Sequence, residues 1–273
     1  MKKNSEGKWY KMARIIGWPF RKAFGAMVWA LGKIINKLAQ KGAEKAEDMK
    51  RPRMQAKYSD FDVLESSTGD FKQFENYLLN SKSTVGIILG ARGTGKSALG
   101  MRILENVHAK RGRKVAALGF LKESLPSWIK VVDKTELIEN NSFVLVDEGG
   151  IVFSARQAMS DANKILSELL LISRHKDLSI LFISQNSANL DVNAIRQADY
   201  LLLRKSSLLQ KDFERKKIKE VYEGAKGLFE KYGKEKQKIT YVYSDDFRGM
   251  IANALPSFWT EAAGKAFKDL KPK

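Results

Sequence analysis

The chain has no cysteine and only two histidines, His108 and His175, in 273 residues. The first absence excludes structural disulfides and cysteine-based zinc sites, and the second excludes a multi-histidine metal centre. A membrane span is also missing from the N-terminal region. The longest charge-free run among the first 56 residues, residues 23–32, falls well short of the roughly 20 needed to cross a bilayer. That region has no small-residue cleavage site, so no cleaved signal peptide is expected. No internal repeat is visible. Acidic residues are in deficit, with 31 against 49 Lys and Arg, a formal net charge of +18. Such a balance points to nucleic acid or an anionic membrane as partner, the alternative being a solvated surface adapted to salt or heat. The length suits one α/β domain with additions, or at most two domains, in a natural cytoplasmic setting.

What is present begins with residues 90–97, G-A-R-G-T-G-K-S, which fit the phosphate-binding pattern G-x-x-x-x-G-K-[ST]. Gly90, Gly93 and Gly95 allow backbone conformations closed to residues with a Cβ, so that successive N–H groups can turn toward phosphate oxygens. Gly90, Ala91, Arg92, Gly93, Thr94, Gly95, Lys96, Ser97 and Ala98 are therefore the candidate nucleotide cradle. Lys96 would reach the β- and γ-phosphates of ATP, and Ser97 would place its hydroxyl on Mg²⁺. The context is the required one. An apolar run at residues 84–89 reads as a buried strand, and Ala98, Leu99, Met101, Ile103, Leu104 and Val107 continue as a helix.

About 50 residues further on, residues 142–148 read S-F-V-L-V-D-E. A buried strand running into two acids delivers Asp147 to the sheet rim beside Ser97, where its carboxylate can hold the Mg²⁺ shell. Glu148 is placed to activate a water as general base. The next core strand, residues 179–184, ends in Gln185, where ligands meet open α/β sheets. An amide there can report the γ-phosphate, or it can cap the following helix. Strands at residues 114–121, 128–132 and 200–205 and helices near 135–139, 157–174 and 191–197 complete a strand–helix alternation. That alternation predicts a mostly parallel sheet with helices on both faces.

The flanks read differently. Residues 1–56 hold fourteen Lys and Arg against four acids, a surplus of +10, together with Trp9, Trp18 and Trp29. Apolar residues recur there at helical spacing, including Met12, Ile16, Phe20, Phe24, Met27, Leu31, Ile35 and Leu38, with Pro19 as a break or start. This basic amphipathic extension suits a membrane surface, a partner helix or the phosphates of DNA. Residues 41–58 read as a linker, and Asp70 as the cap of a helix. A long charged helix is expected over residues 208–231, an edge strand over 236–244, and a terminal amphipathic helix over 251–273. The resulting organisation is an extension at 1–56, a core at 57–250 and a C-terminal helix at 251–273.

The loop at 90–97, the Asp147-Glu148 pair and Gln185 on the next strand, within R-H-K-D-L-S-I-L-F-I-S-Q-N and followed by L-D-V-N-A-I-R-Q-A-D, resemble the HerA/FtsK group of P-loop ATPases. Two branches are similar, viral genome-packaging ATPases and zonula-occludens-toxin-like assembly ATPases, over roughly residues 80–205. The resemblance implies a three-layer P-loop NTPase (RecA-like) fold. It also implies a homo-oligomeric ring, usually a hexamer, that hydrolyses Mg²⁺·ATP to move double-stranded DNA. An arginine from a neighbouring subunit would complete each site, with Arg174, Arg204 and Arg196 as candidates. Capsid or virion proteins would be further partners, and the location cytoplasmic, peripheral at the membrane face or virion-associated. The assembly branch usually carries a transmembrane helix after the core, which this chain lacks. Packaging motor, membrane-associated extrusion ATPase and nucleotide-gated scaffold with little turnover are the three functional expectations. A small-molecule kinase is weaker, because nothing resembles an acceptor-binding lid.

Overall fold

The computed structural model describes residues 51–154, 158–207, 210, 213–233 and 238–260, with the backbone alone at 152–154 and 158–162, and scattered positions between 27 and 49. The chain divides into two units, Met1–Lys50 and Arg51–Lys273. In the first, every described residue is helical. The apolar positions expected at Trp9, Met12, Ile16, Phe20 and Phe24, and the break at Pro19, lie outside the described residues.

The second unit is built on one sheet. Its strands are β1 (Phe61–Gly69), β2 (Val85–Leu89), β3 (Lys114–Leu118), β4 (Ile129–Val132), β5 (Ser142–Asp147), β6 (Ser179–Ile183), β7 (Tyr200–Leu203), β8 (Ile239–Ser244) and β9 (Phe247–Asn253). Among the described residues they lie in the order β1-β9-β8-β7-β2-β6-β5-β3-β4. From β4 to β7 all pairings are parallel; β8, β9 and β1 add antiparallel strands at one side. The parallel strands are continuous apolar runs because helices cover both faces. Alternate residues of one strand enter different cores. Ile87, Val144, Val146, Ile180 and Phe182 enter one, and Ile88, Phe143, Leu145, Leu181 and Ile183 the other.

Two helices, α1 (Phe71–Asn80) and α2 (Lys96–Arg111), cover the second face. Asp70 caps α1 by accepting a hydrogen bond from the Lys72 N–H. The first face is covered by α3 (Glu148–Ser154), α4 (Ala158–Ser173), α5 (Val192–Arg196), α6 (Lys216–Gly224) and α7 (Lys226–Lys231). The result is the three-layer, mostly parallel arrangement that the strand–helix alternation predicts.

Over residues 98–107 helix α2 is buried on every side, its polar residues Arg102, Glu105 and Asn106 included. Flanking chain closes over its outer face. Arg102 donates to the carbonyls of Lys57 and Leu255 and pairs with Glu105 at 3.0 Å. Glu105 accepts from the N–H groups of Lys57 and Ser257. Asn106 exchanges two hydrogen bonds with the backbone of Ser59. Buried polar groups are tolerated because each finds partners.

The structure departs from the sequence reading at five points. Residues 51–58 are not a free linker: Arg51 is buried and donates to the carbonyls of Leu125, Pro126 and Ile129. Residues 61–69 form a strand that sequence patterning misses, because β1 is an edge with mostly exposed side chains and two register shifts. The charged stretch after residue 213 forms two helices, interrupted at Ala225, and residues 239–244 lie inside the sheet between β7 and β9. The strand β9 runs to Asn253, so residues 251–253 are not helical; beyond it Phe258 is buried in the core, and 261–273 lie outside the described residues.

At the N-terminal rim of the parallel strands a single side chain joins five backbone and side-chain oxygens. Arg113 is buried and donates to the carbonyls of Ser81, Asn141, Ser142 and Asp177 and to Ser179 Oγ, at 3.0 to 3.3 Å. Removing one partner of such a network leaves the rest desolvated and unmade. Arg113→Ala is expected to lower the unfolding free energy by about 3 kcal/mol or more, read from urea denaturation.

Candidate active site

The glycine loop leaves β2 at the centre of the sheet. Leu89 is fully buried, and at Gly90 the backbone turns with φ 150°. A Cβ at Gly90 would lie 2.5 Å from Arg204 Cβ, so only glycine fits. Gly93 (φ 76°) has open space where a Cβ would stand, and Gly95 (φ 83°) is the left-handed N-cap of α2. The loop is tied down at its start and across its turn. The Arg204 N–H donates to Leu89 O at 2.7 Å, the Ala91 N–H donates to Lys205 O at 3.1 Å, and Thr94 Oγ1 donates to Ala91 O at 2.7 Å. Arg92 is exposed at the tip, and Ala98 is buried in the first turn of α2.

Lys96 is buried, and its Nζ donates to the carbonyls of Gly90 at 2.7 Å and Ala91 at 3.0 Å. Burial pushes its pKa down to about 8, against the opposing pull of Asp147 and Glu148; Arg204 pushes in the same direction as burial. Asp147 ends β5, accepts from Ser97 Oγ at 2.7 Å and also accepts from the Gly149 N–H at 3.0 Å. Its burial raises the carboxyl pKa, and the Ser97 hydroxyl, the Gly149 N–H and Lys96 act the other way. Glu148 accepts from Ser184 Oγ at 2.5 Å. Burial raises its pKa too, opposed by Ser184, the Gln185 N–H and the Asn189 side chain.

Lys96, Ser97, Asp147 and Glu148 therefore meet at one rim, as the motif spacing implies. Gln185 sits at the same rim, because β6 pairs with β2. Its backbone carbonyl accepts from Gln210 Nε2, while its side chain is exposed. Sequence reasoning does not find Ser184 or Asn189, the two side chains that hold Glu148. Only their position on and just after β6 could have pointed to them.

The arginines separate. Arg204 is fully buried, with its guanidinium bonded to Ile239 O at 2.9 Å and Asn253 Oδ1 at 2.8 Å of its own chain. It cannot extend into a neighbouring subunit, which corrects the expectation of a donated arginine there. Arg174 and Arg196 are exposed. They follow α4 and end α5, each just before a strand begins, and so lie at the rim opposite the glycine loop.

The residues fit a magnesium nucleotide. A hydroxyl and a carboxylate 2.7 Å apart are oxygen ligands suited to a hard divalent cation that shares its shell with phosphate oxygens. The open cradle at Gly93 and the helix N-terminus at Gly95 suit the phosphates themselves.

No protein-family model and no curated protein sequence matches the chain. Among solved structures, it is similar to the DNA-packaging ATPase B204 from Sulfolobus turreted icosahedral virus, at 17% identity over 64% of this chain and 99% of that one, with a TM-score of 0.45. The genome packaging NTPase B204 from Sulfolobus turreted icosahedral virus 2, solved in complex with ATP-gammaS, aligns at 15% identity over 63% and 98%, TM-score 0.43. The N-terminal domain of zonular occludens toxin from Neisseria meningitidis aligns at 15% identity over 65% and 96%, TM-score 0.38.

The hydrogen bond from Ser184 orients Glu148 and draws its carboxyl pKa down against burial. Ser184→Ala is expected to raise the Glu148 carboxyl pKa, because the hydrogen bond that opposes burial is lost, a shift read by NMR titration of the side-chain carboxyl.

Proposed function

We propose that this chain is a Mg²⁺-dependent ATPase that moves double-stranded DNA through a ring of identical subunits, as a viral or provirus packaging motor does. The observation that carries the ATPase part is the 2.7 Å contact between Ser97 Oγ and Asp147 Oδ2, with Glu148 next in the chain and oriented by the neighbouring strand. The DNA part is supported by the net charge of +18 and by Gln185 at the end of β6. The ring, its hexameric size and any capsid or virion partner rest on the resemblance of motifs at Gly90–Ser97, Asp147-Glu148 and Gln185.

Mg²⁺·ATP supplies the electrophilic γ-phosphorus and the cation that offsets its charge. The loop amides of residues 91–97 hold the phosphates, and Lys96 exchanges its present acceptors, Gly90 O and Ala91 O, for phosphate oxygens. Ser97 and Asp147 give oxygen ligands to the metal. Glu148 takes a proton from the attacking water; burial, which raises its pKa, makes it the stronger base. Gln185, exposed at the rim, senses the γ-phosphate. Arg174 and Arg196 are the two candidates left for an arginine donated to a neighbour.

The test is ATP turnover by the full chain with and without duplex DNA. DNA stimulates turnover, and the stimulation falls steeply with salt because phosphate contacts release counterions. In the same assay Glu148→Gln loses more than about 100-fold of turnover while still binding Mg²⁺·ATP. Unchanged turnover removes Glu148 from the base role, and no response to DNA removes the motor reading but leaves the ATPase.

A second reading, a membrane-associated assembly ATPase, is favoured by one observation in the N-terminal unit. At helical spacing Met27, Leu31, Ile34, Ile35 and Leu38 share one face, and all five are 47–63% exposed. Lys33 falls on the other face, its Nζ 3.9 Å over the Trp29 ring. A helix with an open apolar face in a segment of surplus positive charge suits the surface of an anionic bilayer. Flotation with anionic vesicles is expected for the full chain and lost in Ile34→Asp/Leu38→Asp; equal flotation of both rejects this contact.

A further inference from the structure

Two charged residues that directly precede α6, Glu214 and Arg215, turn inward while their neighbours Phe213 and Lys216 are exposed. Glu214 is buried, and Arg215 is half-buried. Both meet Ser187, a fully buried residue in the turn that follows β6. A buried serine in a turn has three polar groups to satisfy, and this pair satisfies all of them. The Ser187 N–H donates to Glu214 Oε2 at 2.8 Å, and its hydroxyl donates to the same oxygen. That hydroxyl also accepts from the Arg215 N–H at 3.0 Å, and Ser187 O accepts from Arg215 Nε at 3.0 Å.

The grip extends to both sides of Ser187. Arg215 Nη2 donates to Leu190 O at 2.6 Å. Gln210 Nε2 donates to Glu214 Oε1 at 3.1 Å and to Gln185 O. One segment thus holds the turn at Gln185, Ser187 and Leu190. Asn163 of α4 holds its far end separately, through Asn189 O at 2.9 Å and the Asp191 N–H at 3.0 Å.

The same turn holds Glu148. Ser184 Oγ donates to Glu148 Oε2 at 2.5 Å, and the Gln185 N–H and the Asn189 side chain are its other partners. The Ser184 hydroxyl has one proton and a second acceptor in reach, Asn186 O at 3.0 Å. Glu148 can therefore let go without leaving that hydroxyl unsatisfied. Where Asn186 O stands, and so how the proton is shared, depends on the path of the turn.

We propose that Glu214 and Arg215 are positioning residues: clamped on Ser187, they fix the turn at residues 184–190 that orients Glu148, and so tie the start of α6 to hydrolysis. This role rests on reading Glu148 as the base of an ATP site.

The experiment is steady-state ATP hydrolysis by the full chain in Mg²⁺, for wild type, Glu214→Ala, Glu214→Gln, Ser184→Ala and the double variant Glu214→Ala/Ser184→Ala. Glu214→Ala is expected to lower kcat about tenfold with KM changed less than about twofold. Glu214→Gln keeps an acceptor for Ser187 and is expected to regain most of the loss. The double variant is expected to be about as slow as the slower single one, because both act through the same hold on Glu148. Single losses that multiply in the double variant mean that Glu214 only supports the fold, and an unchanged kcat in Glu214→Ala removes the role; either result overturns the proposal. Should Glu214→Ala fail to fold, Ser187→Ala removes only the hydroxyl inside the clamp. It is expected to lower kcat about threefold, and an unaltered kcat there overturns the proposal as well. If wild type hydrolyses no ATP, the reading of Glu148 falls and the clamp with it; if wild type hydrolyses ATP and the Glu214 variants keep its rate, only the clamp falls.

Discussion

The 2.7 Å hydrogen bond from Ser97 to Asp147 crosses a strand, and the layout of the core follows from that reach. Ser97 belongs to the helix after β2, Asp147 to the end of β5, and β6 lies between them. To span the gap, the first turn of α2 must lean over β6 and come close to β5. Gly100 permits this: a Cβ there would lie 2.6 Å from Leu145 Cδ1 and 3.3 Å from Ile183 Cδ1. A second close approach brings Asp147 and Glu148 to the rim. A Cβ at Gly150 would strike Gly119 O at 1.7 Å, so the first turn of α3 passes this carbonyl only with glycine at 150. The site is therefore set by backbone proximity as much as by its polar residues.

Charge burial sets the second constraint. Lys96, Asp147 and Glu148 all lie out of solvent, and burial drives each toward its neutral form. They remain compatible because opposite signs and hydrogen bonds work against desolvation. Ser97, Gly149 and Lys96 serve Asp147; Ser184, Gln185 and Asn189 serve Glu148. The two carboxyls are held by different elements, Asp147 by the loop helix and its own following turn, Glu148 by the end of β6. The roles proposed for them, metal ligand and water-activating base, would need that independence, since one must stay fixed while the other exchanges a proton.

This division explains what the sequence shows and what it conceals. The glycine loop, the acidic pair and the parallel strands are legible because each is local. Continuous apolar runs mark buried strands, and the phosphate pattern is contiguous. Edge and antiparallel elements are less so. The pattern of β1 is diluted by exposure and two register shifts, and the apolar residues of β9 read equally well as the start of a helix. The break at Ala225 is hidden because charged residues continue on both sides of it. The inward placement of Arg204 was out of reach for a different reason. An arginine at the end of a strand beside a nucleotide loop reads as a donor to a neighbour, and only its bonds to Ile239 and Asn253 turn it inward.

Buried arginines also bear on the meaning of the net charge. Arg51, Arg102, Arg113 and Arg204 are all buried, and each donates to carbonyl oxygens of the folded chain. Their planar, many-donor groups act as internal ties, a use for which lysine has the wrong geometry. They contribute to the formal charge of +18 but offer nothing to a phosphate backbone or a lipid surface. Several core lysines are matched locally, Lys82 by Asp177, Lys114 and Lys130 by Glu139, and Lys231 by Glu65. Residues 1–50, by contrast, carry twelve Lys and Arg against four acids, a surplus of +8 in under a fifth of the chain. Attraction to a polyanion is governed by surplus charge that solvent can reach, not by the formal total. The N-terminal unit is therefore where the surplus charge per residue is greatest. The four buried arginines of the second unit serve instead as ties within its fold.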